Sequence, residues 1–148
     1  MALYIYNFAK FTRWPPEAFD SDRAPLRLCV LGEDPFGVAL DELEGREAGA
    51  RPLRIRRYPR VAVVSGCHIL FVARSEEHRL ALILGAVEQL PILTVSDIEG
   101  FSDRGGMITL STRNRQVRFA VNPHAAASAD LKISSKLLEL STIVESRR

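Results

Sequence analysis

The sequence has no apolar stretch long enough to cross a membrane. A membrane-spanning helix needs about 20 consecutive, predominantly apolar residues, and charged residues interrupt this 148-residue chain before any stretch reaches that length. The amino-terminal stretch also differs from a secretory signal, because polar Asn7, Lys10 and Thr12 interrupt its apolar run and no small-residue cleavage site follows. We therefore expect a globular chain without direct membrane insertion. The net charge of +2 neither favours nor excludes a nucleic-acid partner, and we predict none.

Cysteine and histidine are scarce. The two cysteines and three histidines are scattered, without the short spacing typical of metal ligands. Cys67 and His68 are adjacent, but neighbours on a strand point to opposite faces and cannot act together as nucleophile and base. We interpret His68 as a hydrogen-bonded residue of the sheet. Neither a G-x-S-x-G nor an H-E-x-x-H motif is present, so we predict no enzyme activity, metal or cofactor.

Two further patterns are weak indications of chemistry. "GEDPFGVA" (32–39) has glycines at P-loop spacing, but Val38 and Ala39 occupy the positions of the P-loop Lys and Ser/Thr. A structural turn from strand to helix is the better interpretation. Asp97 and Glu99 lie in a strand-end loop, where a general base would be expected, yet no nucleophile or acid can be named beside them.

Short apolar segments alternate with helical patterns along the chain. Segments 25–32, 51–58, 67–73 and 91–97 are typical of strands, and "GMITLST" and "QVRFAVN" flank "RNR" as a hairpin. Helices are predicted at 2–13, after Asp34 as an N-cap, at 76–90 after Ser75, and after Asn122. A final helix is predicted over "SSKLLELSTIV" (134–144), with Ser134 as its cap. Alternation of this kind favours a single α/β domain, 1–148. We expect a mostly parallel sheet with helices on both faces and the antiparallel hairpin at one edge.

Arginines are concentrated between positions 46 and 60. This cluster suggests either an anion or nucleic-acid patch or the solvated face of an edge strand, where charge discourages aggregation. Nearby Glu42, Glu44 and Glu47 would dilute a positive potential and favour the second interpretation. The six arginines are Arg46, Arg51, Arg54, Arg56, Arg57 and Arg60.

Aromatic residues are concentrated at the amino terminus. Tyr4, Phe8 and Phe11 follow helical spacing and predict one apolar stripe facing the core. Tyr6 lies off that stripe, which suggests a second apolar face that a partner could cover. We therefore expect a homodimer; burial of the whole helix in its own core is the alternative.

Six ordered segments resemble the YfiR family of bacterial periplasmic proteins. The resemblance covers nearly the whole chain and implies a Rossmann-like α/β domain without known catalysis. It also implies a mature form, because the signal peptide of family precursors lies just ahead of the first segment. The segments are "YNFAKFTRWPPEAF", "LRLCVLGEDPFG", "GCHILFVARSE", "LTVSDIEGFSDRGGMI", "VRFAVN" and "LKISSKLLELS".

The resemblance implies a function and a partner. Well-understood family members are periplasmic regulators that hold an inner-membrane diguanylate cyclase inactive, and so control cyclic di-GMP and biofilm formation. By analogy the contact with the periplasmic sensor domain of the cyclase lies in the carboxy-terminal segment 120–138; closure of the core by this segment is the physical alternative. The expected contact residues are Ala120, Asn122, Ala126, Asp130, Lys132 and Ser134.

The resemblance also indicates a disulfide between Cys29 and Cys67, because the family has cysteines in the same two segments and the periplasm is oxidising. If the two strands align at their carboxyl ends, Cys29 lies opposite residue 70 or 71, so Cys67 must lie at a bend or on a strand shifted in register. Two buried free thiols are the alternative. A second cysteine pair found in some members, around "GGMI", is absent here.

A different class of function remains open. A periplasmic module that binds a small ligand or solute would use the crevice at the carboxyl ends of the strands. This crevice would be formed by Gly32, Asp34, Phe36, Ser75, Ser96 and Asp97.

Overall fold

The computed structural model describes residues 1–59 and 66–143 and shows a mixed α/β fold. In chain order the strands are β1 (Thr12–Arg13), β2 (Leu26–Leu31), β3 (Glu47–Ala48), β4 (Arg51–Tyr58), β5 (Ile69–Val72), β6 (Leu93–Ser96), β7 (Ile108–Arg113), β8 (Gln116–Val121), β9 (Lys132–Ile133) and β10 (Thr142–Ile143). The α-helices are α1 (Ala2–Lys10), α2 (Val38–Asp41), α3 (Leu80–Val87), α4 (Pro123–Ser128) and α5 (Ser135–Leu140). Short 3-10 helices lie at Pro16–Ala18, Arg74–Arg79 and Ser102–Arg104.

One large mixed sheet has the strand order β10-β8-β7-β6-β5-β2-β4-β3. The central strands from β4 to β7 pair in parallel, and β10 is parallel to β8. Antiparallel pairs occur between β7 and β8 and between β3 and β4. The hairpin was expected at the edge of the sheet, but β10 lies outside it. A separate antiparallel pair joins β1 to β9.

Strands β2, β5 and β6 are mainly apolar because both of their faces are buried along most of their length. Alternate residues of β2 contribute to two cores, Leu28 and Val30 to one and Cys29 and Leu31 to the other. The first core includes α1 residues such as Phe8, and the second includes α3 residues. A strand covered on both faces has no solvent side to keep polar, which explains why these three segments are mainly apolar in the sequence.

Several helix boundaries differ from the sequence prediction. α1 ends at Lys10 rather than Arg13, because Thr12 and Arg13 pair with Ile133 and Lys132 instead. Its buried side chains are those of Ala2, Ile5, Phe8 and Ala9, while Tyr4 and Phe11 are only partly buried.

Two predicted N-caps have other roles. Asp34 does not cap a helix; its carboxylate accepts hydrogen bonds from the backbone N–H groups of Phe36 and Gly37, and α2 begins later with Gly37 as its N-cap. Ser75 lies inside a 3-10 helix, where its hydroxyl accepts from the backbone N–H of Glu33. Ser75 therefore has a partner distant in sequence, whereas the backbone partners of Asp34 lie two and three residues away, in the turn before α2.

The carboxy-terminal helix is shorter than predicted. Asn122 and Ser134 are N-caps as expected, since their side chains accept from Ala125 N–H and Lys136 N–H. However, α5 ends at Leu140, and the following residues form β10 beside β8.

Candidate functional site

A disulfide joins the two cysteines. Cys29 in β2 lies opposite Leu70 of β5, as the strand alignment predicted. Cys67 precedes β5 and is followed by a bend at His68, so its Cα atom lies 6.0 Å from that of Cys29. This is within the range a disulfide requires. The predicted Cys29–Cys67 bond and its placement at a bend are confirmed.

His68 links three segments beside this disulfide. Its Nδ1 accepts a hydrogen bond from the backbone N–H of Arg27 at 2.9 Å, and its Nε2 lies 2.7 Å from the carbonyl oxygen of Ala18. A carbonyl can only accept, so Nε2 carries the proton and the imidazole is neutral. Burial lowers the pKa of His68, and the nearby Arg27 and Arg51 lower it further. His68 is hydrogen-bonded, as interpreted, but it lies at the bend before β5 rather than within a strand.

The Phe19 ring stacks on the His68 ring, and the guanidinium of Arg51 lies over Phe19. The ring of Phe19 lies parallel to the His68 ring at 4.3 Å, and the Arg51 guanidinium lies 3.5 Å from the centre of Phe19 on that ring's face. Trp14 meets both rings edge-on and donates from Nε1 to the His68 carbonyl at 2.9 Å. These residues, which we call the His68 stack (Trp14, Phe19, Arg51 and His68), are too far apart in sequence for a local motif to reveal them.

A cleft of about 330 Å³ opens beside the His68 stack. It lies at the amino ends of β2, β5 and β6, at the opposite end of the sheet from the crevice that the sequence predicted. Its lining includes Phe19, Arg27, Cys67, His68 and Pro91.

At the predicted crevice, at the carboxyl ends of the strands, several residues are packed and hydrogen-bonded within the fold. The ends of β2, β5 and β6 align there, with Leu31 opposite Val72 and Val72 opposite Ser96. Ser96 is fully buried, and its hydroxyl donates to the carbonyl of Val72 and accepts from Ile98 N–H. Gly32 has φ +94°, and a Cβ there would lie 2.6 Å from the Ser75 hydroxyl oxygen. Close packing therefore explains this glycine without phosphate binding.

The charged and aromatic groups of the crevice also have partners. Asp34 pairs with Arg57 at 2.7 Å, and the Phe36 ring meets Phe71 edge-on. Asp97 pairs through Oδ2 with Arg74 at 3.2 Å, while its buried Oδ1 has no hydrogen-bond partner among the described residues. The structure brings the six crevice residues to one end of the sheet, but none lines either of the two clefts described here.

The carboxy-terminal segment contains both buried and exposed residues from the predicted contact set. Asn122 and Ala126 are buried; the Asn122 amide donates to the carbonyl of Ser102 and supports the segment from within. Asn122 and Ala126 therefore expose little surface, and the contact set as a whole stays a prediction. Ala120 and Ser134 are partly buried, and Asp130 and Lys132 are exposed.

A larger cleft of about 760 Å³ borders this segment. It lies between α3, the 3-10 helix Ser102–Arg104 and α4. Its lining combines polar groups such as Thr94, Asn122 and His124 with glycines Gly85 and Gly105.

The arginines around β4 contact other parts of the chain. Arg57 pairs with Asp41 and Asp34, each at 2.7 Å, and these hydrogen bonds raise its pKa. Arg54 pairs with Glu44 at 3.1 Å. Arg51 donates to the carbonyls of Ser21 and Ala24.

Arg46 and Arg56, two further members of the arginine cluster, also contact other groups of the same chain. The guanidinium of Arg46 lies 4.9 Å from the Tyr6 ring centre, and Arg56 donates to the carbonyl of Ile55. Arg60 lies outside the described residues. The cluster therefore forms internal contacts, a use that neither sequence interpretation included.

Within residues 1–59 and 66–143, no three or more His, Cys, Asp or Glu side chains lie together where they could hold a metal ion. Within the same ranges, no helix has the length and hydropathy needed to span a membrane.

The sequence matches a known protein family. The model of the YfiR/HmsC-like family matches residues 1–142, which is nearly the whole chain. The match includes both cysteines, the His68 stack and the carboxy-terminal segment described above. The chain belongs to the YfiR/HmsC-like family.

Proposed function

We propose that this chain, as a single Rossmann-like domain, is a non-enzymatic periplasmic regulator. It represses a membrane-bound diguanylate cyclase by binding the periplasmic sensor domain of that enzyme, and so lowers cyclic di-GMP and biofilm formation. The observation that supports this proposal is the family match over residues 1–142.

The disulfide agrees with the proposed compartment. Disulfides persist in oxidising compartments such as the bacterial periplasm and are rare in the cytosol. Cys29 and Cys67 are both buried, and the structure contains no free cysteine among its described residues.

For the cyclase contact we propose the exposed part of the carboxy-terminal segment. Asp130 and Lys132 are available to a partner, while Asn122 and Ala126 hold the segment in place from the interior. Asp130 has φ +64°, an uncommon conformation for a residue other than glycine. The tight turn between α4 and β9 therefore presents these two charges in a defined position.

Deletion of the gene tests the function. We expect intracellular cyclic di-GMP and biofilm mass to rise, and plasmid-borne wild-type protein to restore both. Expression of a D130K/K132E variant from the same plasmid, with its periplasmic level checked, should fail to restore repression. Unchanged cyclic di-GMP in the deletion strain would refute the function, whereas full repression by the variant would refute only the contact site.

A small-ligand-binding module is the second candidate, and the 760 Å³ cleft favours it. Its size suits a drug-sized or metabolite-sized molecule, and it adjoins the proposed contact segment. Native mass spectrometry of protein purified from the periplasm without denaturation tests this candidate. A stoichiometric additional mass that is lost in a G85W variant would support it, because the tryptophan would fill the cleft.

We also propose a homodimer, with α1 near the interface. Tyr6, the residue that suggested a second apolar face, is used within the chain, since its hydroxyl donates to the Glu47 carbonyl. Leu3 is 61% exposed and remains the apolar residue of α1 available to a partner. Sedimentation at tens of micromolar should give a dimer mass for the wild type and a monomer mass for L3E; a wild-type monomer would refute the dimer.

A further inference from the structure

The hairpin of β7 and β8 extends beyond its neighbours in the sheet. Among the described residues, β6 pairs with Ile108 and Thr109 alone, and β10 pairs with Ala120 and Val121 alone. From Leu110 to Phe119 the two strands pair with each other. At about 3.4 Å per residue, this two-stranded ribbon projects roughly 13 Å from the sheet.

The base of the ribbon is fixed to the protein. Leu110 is fully buried, and the Phe119 ring packs edge-on against Phe8 with their centres 5.1 Å apart. The outer part, Ser111–Arg118, is polar apart from Val117, which packs partly against the core. We call this outer part the arginine hairpin.

The arginine hairpin has charge of one sign. Arg113, Arg115 and Arg118 are all exposed, and the sequence from Ile108 to Val121 contains no Asp or Glu. None of the ion pairs found within 1–59 and 66–143 involves these three arginines. The side-chain hydrogen bond seen here joins Arg118 to Gln116 at 3.3 Å.

The register places two of the arginines on one face. Arg113 lies opposite Gln116, and Ser111 lies opposite Arg118. Arg113 and Arg118 are therefore diagonal neighbours about 7–8 Å apart at their backbones. The turn at Asn114 and Arg115 has positive φ at both residues, 51° and 66°, as the favoured two-residue hairpin turn requires. The ribbon thus holds three guanidinium groups at a projecting end.

Guanidinium groups bind carboxylates in a planar, bidentate geometry. An anionic lipid surface would also attract them, but each basic residue near such a surface contributes only about 1 kcal/mol. The arginine hairpin has no exposed aromatic or large aliphatic residue that could enter the lipid. An acidic protein surface is therefore the better match.

We infer that the arginine hairpin docks on a cluster of carboxylates on the surface of a partner protein. This inference rests on the proposed function in one respect, because it takes the periplasmic sensor domain of the cyclase as the partner. It adds a second contact, with defined chemistry, to the carboxy-terminal segment.

A different role for these charges must be distinguished. Arginines beside unpaired strand edges discourage edge-to-edge aggregation. If the arginines of the hairpin served only this role, replacing them would increase aggregation but would leave the rate of association with a partner unchanged. The kinetics of binding therefore separate the two roles.

The first experiment uses immobilised poly-L-glutamate as an acidic probe and does not require the cyclase. We expect R113E/R118E to bind at least 10-fold more weakly than wild type at low ionic strength. The control is R23E/R56E, which makes the same change in net charge at exposed arginines elsewhere and should retain most of the binding. Equal loss in both variants would show a net-charge effect and overturn the inference.

The second experiment measures association with a recombinant partner domain. This domain is the periplasmic sensor domain of the cyclase whose activity rises when the gene for this chain is deleted. Charges at an interface rim act mainly on the association rate, so R113E/R118E should lower the association rate constant about 10-fold and flatten its salt dependence. Unchanged kinetics with a binding-competent wild type would overturn the partner assignment.

A vesicle assay tests the lipid alternative. Vesicles of phosphatidylglycerol and phosphatidylcholine should not retain the wild-type protein at 0.15 M salt. Retention that is lost in R113E/R118E would overturn the inference in favour of a membrane surface. If gene deletion has no effect on cyclic di-GMP but poly-L-glutamate binding depends on the hairpin, the proposed function fails while the acidic docking surface stands.

Discussion

Two arginine-rich regions of this protein differ in what their charges do. Around β4, Arg51, Arg54 and Arg57 contact carbonyls, carboxylates and an aromatic ring of the same chain. In the arginine hairpin, Arg113 and Arg118 project from the sheet without an ion pair among the described residues. The same residue type thus stabilises the fold in one region and is available for binding in the other. Clustering along the sequence does not separate these two uses.

The largest expected effect follows from the disulfide, which encloses the β4 arginines in a loop with a sequence separation of 38. Replacement of both cysteines by alanine should lower the free energy of unfolding by roughly 3–4 kcal/mol, because the unfolded chain gains loop entropy. Urea unfolding of oxidised wild type and C29A/C67A measures this change. A loss below about 1 kcal/mol would contradict it, and the arginine hairpin, outside the loop, should keep its poly-L-glutamate binding wherever the variant is folded.

The second prediction concerns Arg51. Its two hydrogen bonds to carbonyls and its contact with Phe19 are charge-assisted, so R51A should cost about 2 kcal/mol of unfolding free energy. R51K keeps the charge but lacks the planar fork, and we expect it to recover less than half of the loss. Thermal and urea unfolding of the two variants provide the comparison. Full recovery by lysine would show that charge alone matters at this position.

The third prediction concerns pH and His68, which lies in the same stack. Its folded pKa is lowered, chiefly by burial, so the unfolded chain binds the proton more readily. The stability that this neutral imidazole contributes is fully present above the unfolded pKa of about 6.5 and is lost as pH falls below it toward the folded pKa.

The slope from one proton is at most about 1.4 kcal/mol per pH unit. Besides Arg27 and Arg51, the groups around His68 include Asp20, which raises the pKa, and Glu17 of the adjoining cleft. Urea unfolding of wild type and H68N between pH 5 and 7.5 tests the assignment. H68N should show a flatter dependence over this window; parallel curves would place the titration elsewhere.

The smallest expected effects compare the two regions directly. R57A removes ion pairs to Asp34 and Asp41 at a site that is 37% exposed, so about 1 kcal/mol of stability should be lost. R113A/R118A removes two arginines that contact little else and should change stability by less than about 0.5 kcal/mol. Parallel urea titrations measure both. If R113A/R118A lost as much stability as R57A, the arginines of both regions would stabilise the fold, and the two regions would not differ in this respect.

The buried parts of the fold were largely predictable from sequence. Strands β2, β4, β5 and β6 and the hairpin were found close to their observed bounds. Burial on both faces leaves a mainly apolar pattern in β2, β5 and β6, whereas in β4 the buried Leu53 and Ile55 alternate with arginines. Helix ends were less predictable. Asp34 and Ser75 are good N-cap residues by type, but each found a partner distant in sequence, Arg57 in one case and Glu33 in the other.

The candidate sites depended more on tertiary structure. The disulfide was anticipated through the family resemblance and strand alignment, but Trp14, Phe19 and Arg51 gave no sign of their contact with His68. The two clefts were missed for the same reason, since each is lined by segments that are separate in sequence. The hydrogen bond from the Asn122 amide to the Ser102 carbonyl was likewise not predictable, and the role of Asn122 as a contact residue stays a prediction.

By itself, the sequence determined which segments are buried, that the fold is mixed α/β, and which family the chain resembles. These properties follow from local composition and order, because burial and strand propensity act on neighbouring residues. Only the tertiary structure decided which arginines have partners and which project into solvent. An ion pair or a stacking contact depends on distances of a few ångströms between atoms far apart in the chain. The sheet sets those distances when it brings β4 beside β2 and leaves the end of the β7–β8 hairpin without a neighbouring strand among the described residues.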